Sequence, residues 1–130
     1  MKIVAIDTAT DDTVVGARDG SEIAFGFAEG PDEKGRPRHS QSVLEAAEAA
    51  AESLGGWGSV DRIAVGLGPG TFTGIRIGIA TARGLALGTG IPATGFSTLD
   101  ALSAVPTDVE TDDFRLAVID ARRGEAFAAL

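Results

Sequence analysis

Val65-Gly-Leu-Gly-Pro-Gly-Thr-Phe-Thr-Gly-Ile-Arg-Ile-Gly-Ile-Ala-Thr-Ala-Arg-Gly-Leu-Ala-Leu-Gly-Thr-Gly90 decides how this chain folds. The apolar run Ile63-Ala64-Val65 leads into it as a buried strand, and Gly66, Gly68, Pro69 and Gly70 end that strand in a turn. Thr71 or Thr73 can then accept from a free N–H at the start of a helix. Inside that helix Gly74, Gly78, Gly84 and Gly88 stand where alanine would be better by about 0.5–1 kcal/mol each. Their spacing supplies a reason. Gly74 and Gly78 share one face with Ala82, and Gly84 and Gly88 repeat the interval, so another backbone can come close. The glycines either press the helix onto its own sheet or offer a face to a partner, and small-residue spacing alone leaves both readings open. A Walker-type phosphate loop is excluded, because Ile75 and Arg76 stand where Lys and Ser/Thr are needed.

Upstream, Lys2–Thr8, Thr13–Ala17 and Glu22–Ala28 are short runs rich in β-branched and aromatic residues, separated by turns at Asp11-Asp12 and Asp19-Gly20. They predict an antiparallel meander. Gly30–Arg38 is a charged, proline-punctuated loop. Ser42-Val-Leu-Glu45 has the form of a capping box, and the helix it opens runs to Leu54, where Gly55-Gly56 stop it. Val43, Ala46, Ala47, Ala50 and Leu54 form its narrow apolar face, with Glu45, Glu48 and Glu52 pointing elsewhere. Val60–Leu67 is the strand before the glycine turn.

Downstream, Ile91–Gly95 reads as a strand, Thr98–Ala104 as a short helix capped by Ser97 or Thr98, and Pro106–Asp113 as an acidic connector. Phe114–Ile119 and Glu125–Leu130 are two further strands around Asp120-Ala-Arg-Arg-Gly124. The order βββαβαβα, then ββ, predicts an α/β domain whose mixed sheet starts antiparallel and continues through crossover helices. At 130 residues this is one domain by length. The sequence stops inside a strand, so a second domain is expected in the whole protein, absent from this chain.

Nineteen acidic against eleven Lys and Arg residues give a net charge of −8, which argues against direct nucleic-acid binding, since such affinity comes from clustered cations. Without cysteine there is no disulfide, thiolate chemistry or sulfur-ligated zinc. No apolar run approaches the roughly 20 residues of a membrane span, so a cytoplasmic protein without membrane contact is expected.

Few residues could carry chemistry. Asp7 ends the first strand and is followed by Thr8 and Thr10. A carboxylate there could hold hydrated Mg²⁺ beside a nucleotide phosphate, or could equally cap a turn. His39 is the single histidine; a metal site on its helix would need a second ligand one turn on, where Val43 stands. A capping or loop role is therefore favoured. No Gly-x-Ser-x-Gly elbow occurs, which removes serine-hydrolase chemistry. Arg122 and Arg123 could fork onto an anion or a partner's carboxylate, or belong to a solvated turn tied to nearby acids.

With those residues in view, the chain resembles the N-terminal domain of the TsaB (YeaZ) family. The matching stretches are Ile3–Thr8, His39–Gln41, Gly68–Gly78 continued by Ala80–Gly84, Gly95–Leu99 and Ile119–Gly124, of which the Gly-Pro-Gly block is the specific one. The resemblance implies an actin-like, ribonuclease H-like domain. It also implies a non-catalytic scaffold subunit that works with a TsaD homologue and a TsaE homologue to make threonylcarbamoyladenosine on tRNA. TsaD would carry the metal, the nucleotide and the chemistry. The older glycoprotease label would imply hydrolysis, but the family's metal-binding histidine pair is incomplete here, so neither metal nor cofactor is expected. The alternative, an enzyme or weak ATP–Mg²⁺ binder, would use Asp7, Thr8 and Thr10 in a cleft of which this chain holds half. The resemblance further implies association through the two N-terminal helices, with TsaD or as a homodimer. Val43, Ala46, Ala47, Ala50, Leu54, Gly74, Ile75, Gly78 and Ala82 are then the interface candidates, and leucine at Gly78 is expected to block association without harming the fold.

Overall fold

The computed structural model describes residues 1–105 and 115–130. Three strands, β1 (Lys2–Asp7), β2 (Thr13–Asp19) and β3 (Glu22–Glu29), form the expected meander, and β4 (Arg62–Gly66) and β5 (Ala93–Phe96) extend it. The sheet order is β3-β2-β1-β4-β5, with β1 antiparallel to β2 and parallel to β4. This change of direction at β1 follows from the connections. Tight turns can only return the chain antiparallel, whereas the β3–β4 and β4–β5 links contain helices and act as crossovers.

Helix α1 (His39–Ser53) packs across β1, β2 and β3, and helix α2 (Phe72–Thr89) across β1, β4 and β5. Between them and the sheet lies one core: Val4, Ile6, Val15, Ile63 and Val65 from the strands, Val43, Ala46, Ala47, Ala50 and Ala51 from α1, and Leu54 at its C-cap. Complete burial of Ile6 and Ile63 contributes about 1.5–3 kcal/mol for each side chain. The core residues on α1 are mostly alanines, so that helix sits close to the sheet.

A short helix, α3 (Thr98–Ser103), leads towards a separate hairpin of β6 (Ala117–Arg122) and β7 (Glu125–Ala129). Leu99 of α3 packs on Ala117 and Ile119 in a second, smaller apolar cluster. The connector Pro106–Asp113 and Phe114 lie outside the described residues. No helix among the described residues is long and apolar enough to cross a membrane.

Most strand and helix ends shift by one or two residues from the sequence expectation, and three differences are larger. α1 begins at His39, three residues before the expected capping box, and Ser42 donates to the Arg38 carbonyl at 3.1 Å instead of capping. A one-turn 3-10 helix at Trp57–Ser59 precedes β4. β6 starts at Ala117 and runs through the expected turn as far as Arg122.

Candidate functional site

Three loops meet beside the start of α2: the β1–β2 turn, the glycine turn after β4, and the β6–β7 turn. Thr71 is the N-cap of α2, its hydroxyl accepting from Gly74 N at 3.2 Å, while its own N–H donates to the Ala9 carbonyl at 2.7 Å. The glycine turn therefore lies directly on the β1–β2 turn. A Cβ on Gly70 would fall on the Ala9 carbonyl, and one on Gly74 on the Thr8 carbonyl. Gly78 is nearly as tight, with a Cβ 2.6 Å from Thr8 Oγ1. Only at Gly68, with φ +89°, does backbone conformation itself favour glycine in this turn.

This packing settles where the candidate nucleotide-site residues sit. Thr8 is buried and its hydroxyl donates to the Gly74 carbonyl at 2.6 Å. Asp7 lies over Gly66, accepts from Ala9 N at 2.8 Å on one oxygen and from the buried Thr98 hydroxyl at 2.8 Å on the other. Thr10 is half-buried and its hydroxyl faces Asp12 N at 3.4 Å. Asp7 and Thr8 thus act as bolts between β1, α2 and α3. Thr98, which sequence reading treated only as a helix start, is the partner that fixes Asp7.

His39 occupies the first turn of α1 and is only 3% exposed, in place of the expected capping or loop role. Its Nδ1 pairs with the Thr13 hydroxyl at 2.8 Å, while the buried Nε2 meets no hydrogen-bond partner. Burial lowers the imidazole pKa below its ordinary value of 6.5, and the Thr10 carbonyl with Asp11, Asp12 and Asp7 pulls it partly back. No group of three or more metal-ligating side chains occurs among the described residues.

The β6–β7 turn completes the surroundings. Arg122, in left-handed backbone with φ 66°, donates to Asp11 at 2.7 Å, and its N–H donates to Asp120 at 2.7 Å. This is the tied turn, one of the two readings left open for the arginine pair. Between it and the two helix starts opens a cleft of about 650 Å³, lined by His39, Ser40, Phe72, Ile77, Arg122 and Phe127 among others.

The interface candidates do not stay together as one surface. Val43, Ala46, Ala47, Ala50 and Leu54 face the sheet and are at most 5% exposed; Ala82, Gly74 and Gly78 are buried by the chain itself. Ile75 is half-buried beside Gly68. Leucine at Gly78 would therefore collide with Thr8 and Val65, and its first effect would be on the fold. What the helix pair leaves open is a shallow groove of about 530 Å³ that includes Leu44, Ile77, Ala80, Gly84 and Leu85. Leu44 is 59% exposed, and nothing lies within 4 Å of a Cβ built on Gly84 or Gly88. The second glycine pair carried this signal in the sequence; Leu44 carried none.

The family model for TsaD, a tRNA N6-adenosine threonylcarbamoyltransferase, matches residues 32–130. The Escherichia coli tRNA threonylcarbamoyladenosine biosynthesis protein TsaB is 37% identical across 99% of this chain and 54% of its own length. YeaZ from Pseudomonas aeruginosa superposes with a TM-score of 0.67 at 31% identity, covering 79% of this chain and 48% of that one. The chain belongs to the TsaB (YeaZ) family. It spans about half the length of the relatives it matches. A ROK hexokinase from Thermus thermophilus matches at TM-score 0.52 and 26% identity over 79% of this chain and 36% of the other. The fold is thus of the ribonuclease H-like, actin-like class, as the order of strands and helices predicts.

Proposed function

We propose that this chain is the docking half of a non-catalytic scaffold subunit. Its helix pair receives a TsaD-type transferase, with a TsaE homologue, in the cytoplasmic formation of threonylcarbamoyladenosine on tRNA. The observation that carries this reading is the open groove between α1 and α2, where Leu44, Ala80 and Leu85 flank the uncovered Gly84. An apolar groove floored by a glycine suits close approach of a partner helix. Two features support a non-catalytic role. Asp7 and Thr8 are spent on internal hydrogen bonds, and His39 is followed one turn on by Val43, which cannot complete a metal-ligand pair. In the absence of the transferase the same groove serves a second copy of the chain.

The test is sedimentation velocity on the chain mixed with the TsaD homologue of its own organism. A one-to-one complex is expected for the wild type and its loss for Leu44→Glu or Gly84→Leu, both at exposed positions. A wild-type chain that stays separate from the transferase, or variants that bind it unchanged, would overturn the proposal.

A further inference from the structure

α1 and α2 lie side by side on the sheet and run in the same direction, because each returns the chain between strands that point the same way. Their solvent sides carry opposite charge. α1 has Glu45, Glu48 and Glu52 and neither Lys nor Arg; α2 has Arg76 and Arg83 and neither Asp nor Glu. All five are exposed, and none is in an ion pair among the described residues. Glu48 accepts from the Trp57 indole N–H at 2.7 Å, and the Arg76 guanidinium lies over the Phe72 ring, 3.8 Å from its centre. Between the two charged rows runs the open groove, with Leu44 on one wall and Ala80 and Gly84 on the other. Leu87, two turns beyond Ala80, extends the apolar stripe and is 84% exposed.

The charges are also in register. Glu45 and Glu52 are seven residues apart, as are Arg76 and Arg83, so each pair spans two turns, about 10 Å. Both helices begin at the cleft lined by His39, Ser40, Phe72 and Thr73. Counted from those starts, Glu45 is six residues along and Arg76 four, while Glu52 is thirteen along and Arg83 eleven. Each acid and its matching arginine therefore differ in height by about 3 Å, within the reach of long side chains.

A second copy can be seated on this helix pair in two limiting ways. With the two-fold axis across the helices, α1 lies over α1 and α2 over α2, which sets glutamates against glutamates and arginines against arginines. With the axis along the helices, heights are kept and α1 of each copy lies over α2 of the other. Glu45 then faces Arg76 and Glu52 faces Arg83 across the interface, twice by symmetry. We infer that a second copy of this chain docks on the α1–α2 groove in this lengthwise pose. The pose rests on the reading of the groove as a docking site, and the four charges choose its orientation, as charge pairs at the rim of an apolar contact do. Aligned helix dipoles oppose it only in the first and last turns, whereas the rows of charge meet along the middle of both helices.

Sedimentation equilibrium on the chain alone tests the pose, with binding to the TsaD homologue measured alongside. The wild type is expected to dimerise, less tightly as sodium chloride is raised. Reversal on one helix, Glu45→Arg with Glu52→Arg or Arg76→Glu with Arg83→Glu, should raise the dimer dissociation constant about tenfold or more, because it sets like charges together. In the crosswise pose either reversal keeps like over like and leaves dimerisation unchanged. The chain carrying all four reversals should dimerise as the wild type does. A wild-type chain that binds the homologue but stays monomeric alone would overturn the pose and leave the docking reading standing. So would a dimer that neither single-helix reversal weakens, or a four-fold variant that is folded by circular dichroism yet stays dissociated. A monomer that also ignores the homologue would overturn both.

Discussion

The two ends of α2 carry the same glycine spacing and have opposite surroundings. At Gly74 and Gly78 there is no room for a single methyl group, because the Thr8 backbone and hydroxyl already occupy it. At Gly84 and Gly88 there is nothing to meet at all. Both pairs forgo about 0.5–1 kcal/mol of helix preference per residue. The first pair recovers it within the chain, through close contact with β1 and the Thr8–Gly74 hydrogen bond. The second recovers nothing here, which is why its reason must be sought outside the chain.

The sharpest break in that comparison is Gly74→Ala. A Cβ on the Thr8 carbonyl forces α2 away from β1 or distorts the β1–β2 turn, and overpacking against backbone costs about 1–3 kcal/mol or more. Urea denaturation should show a clear loss of stability for Gly74→Ala and none for Gly84→Ala. Thr8→Val is the next largest. It keeps the shape of a buried side chain but leaves the Gly74 carbonyl without its 2.6 Å donor, for an expected loss of about 1–3 kcal/mol. If Thr8→Val proved neutral, the contact at this end of α2 would be packing alone.

Much of this arrangement was legible in the sequence. Alternation and turn residues placed the meander, and all five residues of the expected narrow stripe of α1 are buried, although the buried face also takes in His39 and Ala51. The start of α1 was not legible. Ser42-Val-Leu-Glu45 has the local form of a capping box, yet the helix begins at His39 because that ring packs inward against Thr13, a contact across 26 residues. A local pattern cannot show such a contact. The same holds for Gly74 and Gly84: spacing marks both as small-faced, and only the position of Thr8 decides which of them is covered.

His39 allows a smaller test at the covered end. Its folded-state pKa is lowered by burial, so the unfolded chain binds more protons between the two values. Stability from this group is fully present above its ordinary 6.5 and falls as the pH drops through that value towards the lowered one. His39→Asn should remove this part of the pH dependence of the urea midpoint. The carboxylates facing the ring, Asp11, Asp12 and Asp7, lessen the effect without reversing its sign, since the net shift is downward. A wild-type midpoint flat across this range, or identical slopes in the two proteins, would contradict the buried neutral ring.

The smallest expected effect bears on the open end and has the opposite sign. Gly84→Ala adds a methyl that meets no atom of the chain, in an ordinary helical position with no positive φ, so helix preference alone should raise stability by about 0.5–1 kcal/mol. Gly88→Ala, in the last turn of α2, should gain less, because frayed helix ends express propensity weakly. The two substitutions separate at the partner. Gly84 lines the groove between α1 and α2, whereas Gly88 lies outside it. If the groove takes a helix, Gly84→Ala stabilises the isolated chain while weakening its complex with the TsaD homologue, and Gly88→Ala does only the first. A stabilised Gly84→Ala chain that binds with wild-type affinity would mean that the glycine is not kept for close approach. The groove would then dock its partner through Leu44 and Leu85 without a glycine floor.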